Sequence, residues 1–155
     1  MIETDSMYFE FEEDFVEDNV RCIPMLVRFK LDACGIKLKL NEWSKMSVHE
    51  RMVLAGKNCI TKEEVADYYN YLYHLIFRHT GKQPTELPVE TNPGWANKNE
   101  LPGIMKEKLD ESGWTISRYQ WQQLTGLQRF VLVKLCRPGH ENKNFPKAMK
   151  EFGLV

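Results

Sequence analysis

Apolar side chains recur every three or four positions in residues 23–34, which is the spacing of a helix that buries one face. They belong to Ile23, Leu26, Val27, Leu31 and Cys34. Pro24 stands where a first helical turn tolerates a missing N–H, and Gly35 suits the left-handed turn that ends a helix. The pattern returns over residues 101–113, so the sequence predicts two similar helices.

Two further helix starts carry a capping box, in which two side chains three residues apart exchange hydrogen bonds with the main chain. The boxes join Ser47 to Glu50 and Thr125 to Gln128. An apolar stretch follows each box, and a short helical turn carrying Trp43 or Trp121 precedes it. The agreement of these signals predicts a helix after each box.

A third capping box, Thr61 to Glu64, opens a predicted helix of about 18 residues, or ~27 Å, that ends near Gly81. Its large side chains leave little polar face; they are Tyr68, Tyr69, Tyr71, Leu72, Tyr73, Leu75, Ile76 and Phe77. A helix of this kind is buried on several sides or forms an interface. Both readings stay open: burial between the two similar segments, or an exposed aromatic docking face.

Residues 23–54 align without a gap with residues 101–132, 78 positions later. Nine of the 32 pairs are identical, against about two expected by chance: Pro24/Pro102, Lys30/Lys108, Leu31/Leu109, Asp32/Asp110, Gly35/Gly113, Trp43/Trp121, Arg51/Arg129, Val53/Val131 and Leu54/Leu132. We interpret the two segments as copies of one structural unit. Short alternating pieces at 36–40 and 114–117 allow a very short β-ribbon between the copies.

These patterns predict an all-α, mainly helical fold in a single domain, residues 1–155. Its parts are an acidic aromatic arm (1–20), repeat copy 1 (23–81), a linker (82–100) and repeat copy 2 with a divergent C-terminal tail (101–155). In the linker, Trp95 is expected to act as a hydrophobic pin, and Pro146 can begin a short terminal helix.

The composition, 43% hydrophobic and 28% charged, is that of an ordinary globular protein. No apolar run is long enough to span a membrane, and the N-terminus lacks the regions of a secretory signal. The cysteines have no metal-ligand spacing; they are Cys22, Cys34, Cys59 and Cys136. We therefore expect free thiols in a reducing cytoplasm and no metal site.

The net charge of −1 hides an asymmetry, because residues 1–20 carry eight of the 22 acidic side chains and no Lys or Arg. The remaining chain has 21 basic and 22 − 8 = 14 acidic residues, a net charge of +7. Either the arm folds back on the basic body, or the body binds an acidic protein partner. Nucleic acid is not expected, since no reader motif or long basic run is present.

An aspartate and an arginine are kept in both copies, and they are expected to form structural ion pairs. Asp32 and Asp110 lie in the last turn of their helices, where the helix dipole disfavours a carboxylate. A nearby arginine would offset that cost, so we predict that these aspartates pair with Arg51 and Arg129.

Trp43 and Trp121 are expected to fill the junctions between helices. In the alternative reading the two indoles stack on a planar cofactor. His74 and His79 are five residues apart on a predicted helix. This spacing does not allow both side chains to bind one metal ion.

The polar loop near the C-terminus has no counterpart in copy 1; it contains His140, Glu141, Asn142, Lys143 and Asn144. Such a loop either recognises a partner or caps helix ends. Cys22 follows Arg21 and Cys136 precedes Arg137, and neighbouring positive charge lowers a thiol pKa. Since no histidine is matched to either thiol, neither is assigned as a nucleophile.

Residues 21–40, RCIPMLVRFKLDACGIKLKL, and 135–155, LCRPGHENKNFPKAMKEFGLV, resemble the nitrate reductase-associated protein family of cyanobacterial type. The opening FEFEEDFVEDNVRCIPM is similar to the start of that family as well. The likeness spans nearly the whole chain, but residues 57–100 match only in pattern.

This resemblance implies a cytoplasmic accessory factor of assimilatory nitrate reductase that binds protein and has no catalysis of its own. The alternative is a carrier that binds the molybdopterin-type cofactor for delivery to the reductase. No catalytic residues are defined for the family. The positions that match its motifs are carried over as candidate partner contacts: Arg21, Cys22, Pro24, Arg28, Lys30, Asp32, Arg137, Pro138, Gly139, His140, Glu141, Asn142, Lys143 and Asn144.

Overall fold

A computed structural model describes residues 9–12, 23–137 and 143–155. Most of the acidic arm and seven of the predicted partner contacts lie outside these ranges: Arg21, Cys22, Pro138, Gly139, His140, Glu141 and Asn142. The described residues contain eight α-helices and one two-stranded sheet, as the mainly helical prediction required. The chain forms two compact units, Met1–Glu90 and Thr91–Val155, and their boundary falls in the predicted linker. The assignment to a single domain stays a prediction.

Among the described residues of the first unit, a 3-10 turn, Glu10–Glu12, is followed by four helices and two short strands. In chain order these are α1 (Met25–Cys34), β1 (Ile36–Lys37), α2 (Leu40–Lys45), α3 (Val48–Gly56), α4 (Lys62–Thr80) and β2 (Thr85–Glu86). The long helix α4 packs on α1 and α2. Its buried face is formed by Tyr68, Leu72, Leu75 and Ile76, whereas Phe77 is 50% exposed. This helix is therefore amphipathic rather than apolar on most sides.

The described part of the second unit contains a 3-10 turn, Gly94–Ala96, and four helices. They are α5 (Gly103–Ser112), α6 (Arg118–Gln123), α7 (Gly126–Leu135) and α8 (Phe145–Glu151). The last helix carries Pro146 in its first turn, as predicted. Its Phe145, Ala148 and Met149 are fully buried, so the described part of the tail is anchored in the unit core.

The helices of the two aligned segments come in the same order and begin at equivalent residues. Adding 78 to the first residues of α1, α2 and α3 (25, 40 and 48) returns those of α5, α6 and α7 (103, 118 and 126). Both predicted capping boxes form, with Ser47 and Thr125 accepting from main-chain N–H groups three residues later. The sequence alignment therefore follows local structure, while duplication as its origin stays a prediction.

The β-ribbon pairs differently from the prediction. Strand β1 pairs antiparallel with β2, with Ile36 opposite Glu86 and Lys37 opposite Thr85, so both strands belong to the first unit. Residues 114–117, the expected partner, contain no strand. A hydrogen bond from Leu87 N–H to the Gly35 carbonyl, 2.8 Å, extends the pairing beside the end of α1.

Gly35 and Gly113 offer a matched test of this close approach. Both have a positive φ, 77° and 72°. A Cβ on Gly35 would lie 2.9 Å from the Leu87 carbonyl oxygen, whereas one on Gly113 would meet nothing within 4 Å. We expect Gly113→Ala to cost about 1–2 kcal/mol for the left-handed backbone alone, and Gly35→Ala to cost at least ~1 kcal/mol more. Urea unfolding of both variants measures the difference, and equal losses would contradict the predicted clash.

Candidate functional site

Each unit contains a buried tryptophan covered by an arginine; we call each couple a Trp–Arg pair. In the first unit the guanidinium carbon of Arg51 lies 5.4 Å from the centre of the Trp43 ring. In the second unit Arg129 lies 5.9 Å from the Trp121 ring. The indoles are 1% and 0% exposed. Because both rings are buried, neither offers a free face for stacking a cofactor.

The arginines do not form the predicted ion pairs within the described part of the chain. Arg51 donates to the carbonyls of Trp43 (3.2 Å) and Ser44 (3.1 Å), and Arg129 likewise binds main-chain oxygens. Asp32 and Asp110 are exposed. The arginines instead satisfy the carbonyls at the ends of α2 and α6, where helices leave acceptors without intrahelical partners.

The surroundings of the Trp–Arg pair differ between the units. In the second unit Arg129 Nε donates to the Trp95 carbonyl at 2.7 Å, and Trp121 Nε1 donates to the Asn97 carbonyl at 2.8 Å. The Trp95 ring meets Phe130 edge-on, with centroids 6.2 Å apart. We call residues 94–97 the covering segment. Among the described residues, Trp43 Nε1 of the first unit is buried without a hydrogen-bond partner.

The arm contacts the first unit through Glu12, a residue that was not among the predicted contacts. Its carboxylate is fully buried and accepts hydrogen bonds from Phe9 N–H at 2.9 Å and Met25 N–H at 2.8 Å. Phe11 beside it is 6% exposed. The described part of the arm therefore folds back on the body, and it caps the first residue of α1 with a negative charge.

The capping carboxylate of Glu50 also joins α3 to the last turn of α4. It accepts from Ser47 N–H, lies 2.9 Å from His79 Nε2, and binds Arg78. Burial by itself would raise the pKa of Glu50, but the Ser47 hydrogen bond, His79 and Arg78 lower it to about 2. His79 thus serves this contact, while His74 is exposed on the same helix.

This lowered pKa predicts an acid-sensitive contribution to stability. A carboxylate whose pKa falls from 4.5 to about 2 on folding stabilises the protein above pH ~5, and the contribution disappears as the pH falls toward 2. We expect wild-type protein to lose more stability than Glu50→Gln between these pH values. Denaturant unfolding at a series of pH values measures this loss, and parallel pH profiles for the two proteins would contradict it.

The described cysteines are buried thiols rather than nucleophiles. Cys34, Cys59 and Cys136 are free. Burial raises their pKa values, to about 12 for Cys34 and Cys136 and to about 11 for Cys59. These thiols therefore stay protonated near neutral pH, and Arg137 does not activate Cys136.

The remaining predicted partner contacts are divided between the units. Arg28 is half-buried in the first unit and donates to the Ile23 carbonyl at 3.0 Å. In the second unit Arg137 and Lys143 are exposed, whereas Asn144 is 4% exposed. Among these four residues, the exposed cations are Arg137 and Lys143, which flank residues 138–142 in the sequence.

No group of three or more His, Cys, Asp or Glu side chains suited to a metal ion occurs within residues 9–12, 23–137 and 143–155. In the same ranges no helix is long and apolar enough to cross a membrane.

Comparison with known proteins identifies the family through one full-length match. The model of the conserved nitrate reductase-associated protein family matches residues 8–152. The chain belongs to this family. The family is named for its association with nitrate reductase. The matched residues extend over both units of the chain. No curated protein and no solved structure matches the chain.

Proposed function

We propose that this chain is a protein-binding accessory of nitrate reductase that acts in maturation or activity of the enzyme and has no catalysis of its own. The observation that carries the proposal is the family match over residues 8–152. The described thiols are buried and their pKa values are raised, so they do not supply a nucleophile. The buried Trp43 and Trp121 rings disfavour the alternative of a cofactor carrier that stacks a pterin on them.

The end of the second unit has the charge that such a partner would recognise. Residues 134–150 contain five basic side chains, Lys134, Arg137, Lys143, Lys147 and Lys150, against one acidic side chain, Glu141. We call these five cations the basic end. Buried Cys136 and Phe145 anchor the chain on either side of Arg137 and Lys143. Fixed cations of this kind favour association with an acidic protein surface, and a cytoplasmic setting remains part of the proposal.

Copurification with nitrate reductase tests the proposal. We expect the tagged full chain to retain the reductase from nitrate-grown cells. Replacing Arg137 and Lys143 with Glu should weaken binding about tenfold, since each surface ion pair contributes about 0.2–1 kcal/mol and each reversal adds repulsion. Added salt should weaken wild-type binding as well.

The control reverses two exposed lysines of the first unit, Lys62→Glu and Lys82→Glu, with the same change in net charge. It should bind like wild type. Equal weakening in both variants would reject a specific role for the basic end. If the wild-type chain retained no reductase, the proposed function would be wrong.

A further inference from the structure

The covering segment of the second unit shows what a complete Trp–Arg pair contacts. Trp95 covers two positions of α7: its ring lies edge-on to Phe130, and a Cβ on Gly126 would be 3.3 Å from the ring. Phe130 is 1% exposed. The Trp95 and Asn97 carbonyls accept from the arginine and the indole of the pair. One four-residue segment thus provides an apolar cover and two acceptors.

Within the part of the first unit that the structure describes, the same surface lacks these contacts. A shift of 78 residues places Val48 at the position of Gly126 and Met52 at the position of Phe130. Val48 is 69% exposed and Met52 is 46% exposed. These side chains are one turn apart on α3 and share a face. Arg51 Nε, whose counterpart binds Trp95, donates to the Trp43 carbonyl at a longer 3.2 Å.

No described residue of the first unit covers Val48 and Met52 as Trp95 covers α7, since both side chains remain exposed. A partner that brings its own aromatic side chain can supply this cover.

We propose that Val48, Arg51 and Met52 form a docking site for an aromatic-bearing segment of the nitrate reductase, bound as Trp95 is bound in the second unit. The partner's ring covers Val48 and Met52, and its main-chain carbonyl accepts from Arg51. This inference rests on the proposed function for the identity of the partner. The kind of group expected at the site, an aromatic side chain with an accessible main-chain carbonyl, is inferred from the covering segment of the second unit.

Binding of purified nitrate reductase to the full chain tests the partner. We expect Met52→Glu to lower affinity at least about tenfold, because it places a charge under the partner's ring. Val48→Glu should act in the same direction, and its carboxylate suits the first residue of a helix. The control is Tyr119→Glu, at a side chain 67% exposed in the second unit, which should change affinity less than about twofold. Unchanged affinity in both α3 variants would overturn the proposal.

A second measurement tests the docking site without the reductase. The probe is a synthetic peptide with the sequence of residues 91–100, TNPGWANKNE, and the control peptide carries Trp95→Ala. We expect millimolar wild-type peptide to shift the amide NMR signals of Val48 and Met52, and the control peptide not to do so. Absence of shifts, or equal shifts from both peptides, would overturn the proposed site.

The two measurements separate the two proposals. Peptide binding at α3 without reductase binding would support the docking site and reject the proposed function. Reductase binding that is unaffected by the α3 variants would leave the proposed function standing and reject the docking site. A wild-type dimer that becomes monomeric in Met52→Glu would assign the site to a second copy of the chain and overturn the reductase as its occupant.

Discussion

Replacing Arg129 with Met is expected to lower the free energy of unfolding by about 3–5 kcal/mol, because several carbonyls lose hydrogen bonds to a charged donor that contribute about 1.5–3 kcal/mol each. Arg129 is 4% exposed and donates to carbonyls of Trp95 (2.7 Å), Leu124 (2.6 Å) and Trp121 (3.4 Å). Burial lowers the pKa of Arg129, which shows the cost of its charge. The carbonyls offset that cost in the folded protein, and methionine would leave them unpaired.

Arg51→Met is the matched variant, because it removes the same side chain from the corresponding position of the first unit. Arg51 is half-buried and makes two longer hydrogen bonds, 3.2 and 3.1 Å. We expect a loss of about 1–2 kcal/mol. Urea unfolding measures both values, with hydrogen exchange of the tryptophan indole N–H groups to assign each loss to its unit. Equal losses would show that the covering segment adds nothing to the second pair.

The second large effect is expected at Glu12, where replacement by Gln should cost about 3 kcal/mol. The carboxylate accepts two hydrogen bonds in a site without solvent access, and bonds to charged groups contribute about 1.5–3 kcal/mol each. An amide keeps one acceptor oxygen and places an N–H₂ group against a second donor. The Met25 amide should then exchange its hydrogen faster than in wild type.

The control for Glu12 is Glu90→Gln, the same chemical change at an exposed position of the first unit. It should stay within about 0.5 kcal/mol of wild type. A small loss for Glu12→Gln, or unchanged exchange at Met25, would show that the arm does not cap α1. Because Glu12 connects the arm to the start of a helix, the same experiment reports how firmly residues 9–12 hold to the first unit.

Local signals in the sequence were enough to predict most of the helices. The capping boxes at Ser47 and Thr125 depend on residues three apart, and the glycines at 35 and 113 act on their own backbone, so neither needs distant contacts. The predicted α4 helix forms over Lys62–Thr80, but its apolar character was overestimated. Tyrosines count as apolar in a pattern, although their hydroxyl ends allow them to remain partly exposed.

Long-range partners could not be read in the same way. The prediction paired Arg51 and Arg129 with the aspartates kept in both segments, whereas the structure places main-chain carbonyls against them. Pairing of β1 with residues 85–86 also joins segments about 50 positions apart. The repeated Trp and Arg, eight residues apart in both segments, were the available signal for the Trp–Arg pairs. An interpretation based on the helix dipole favoured aspartate instead.

The sequence by itself determined the helical class, the helix ends and the two aligned segments, because capping, periodicity and backbone preference act within a few residues. Tertiary structure alone decided which atoms satisfy the buried arginines, how Glu12 reaches α1, and which residues Trp95 contacts. Those choices depend on which distant carbonyls and rings come within contact distance when each core packs. The difference that motivates the docking site is of this kind: Met52 and Phe130 are equivalent in sequence, yet only Phe130 is covered.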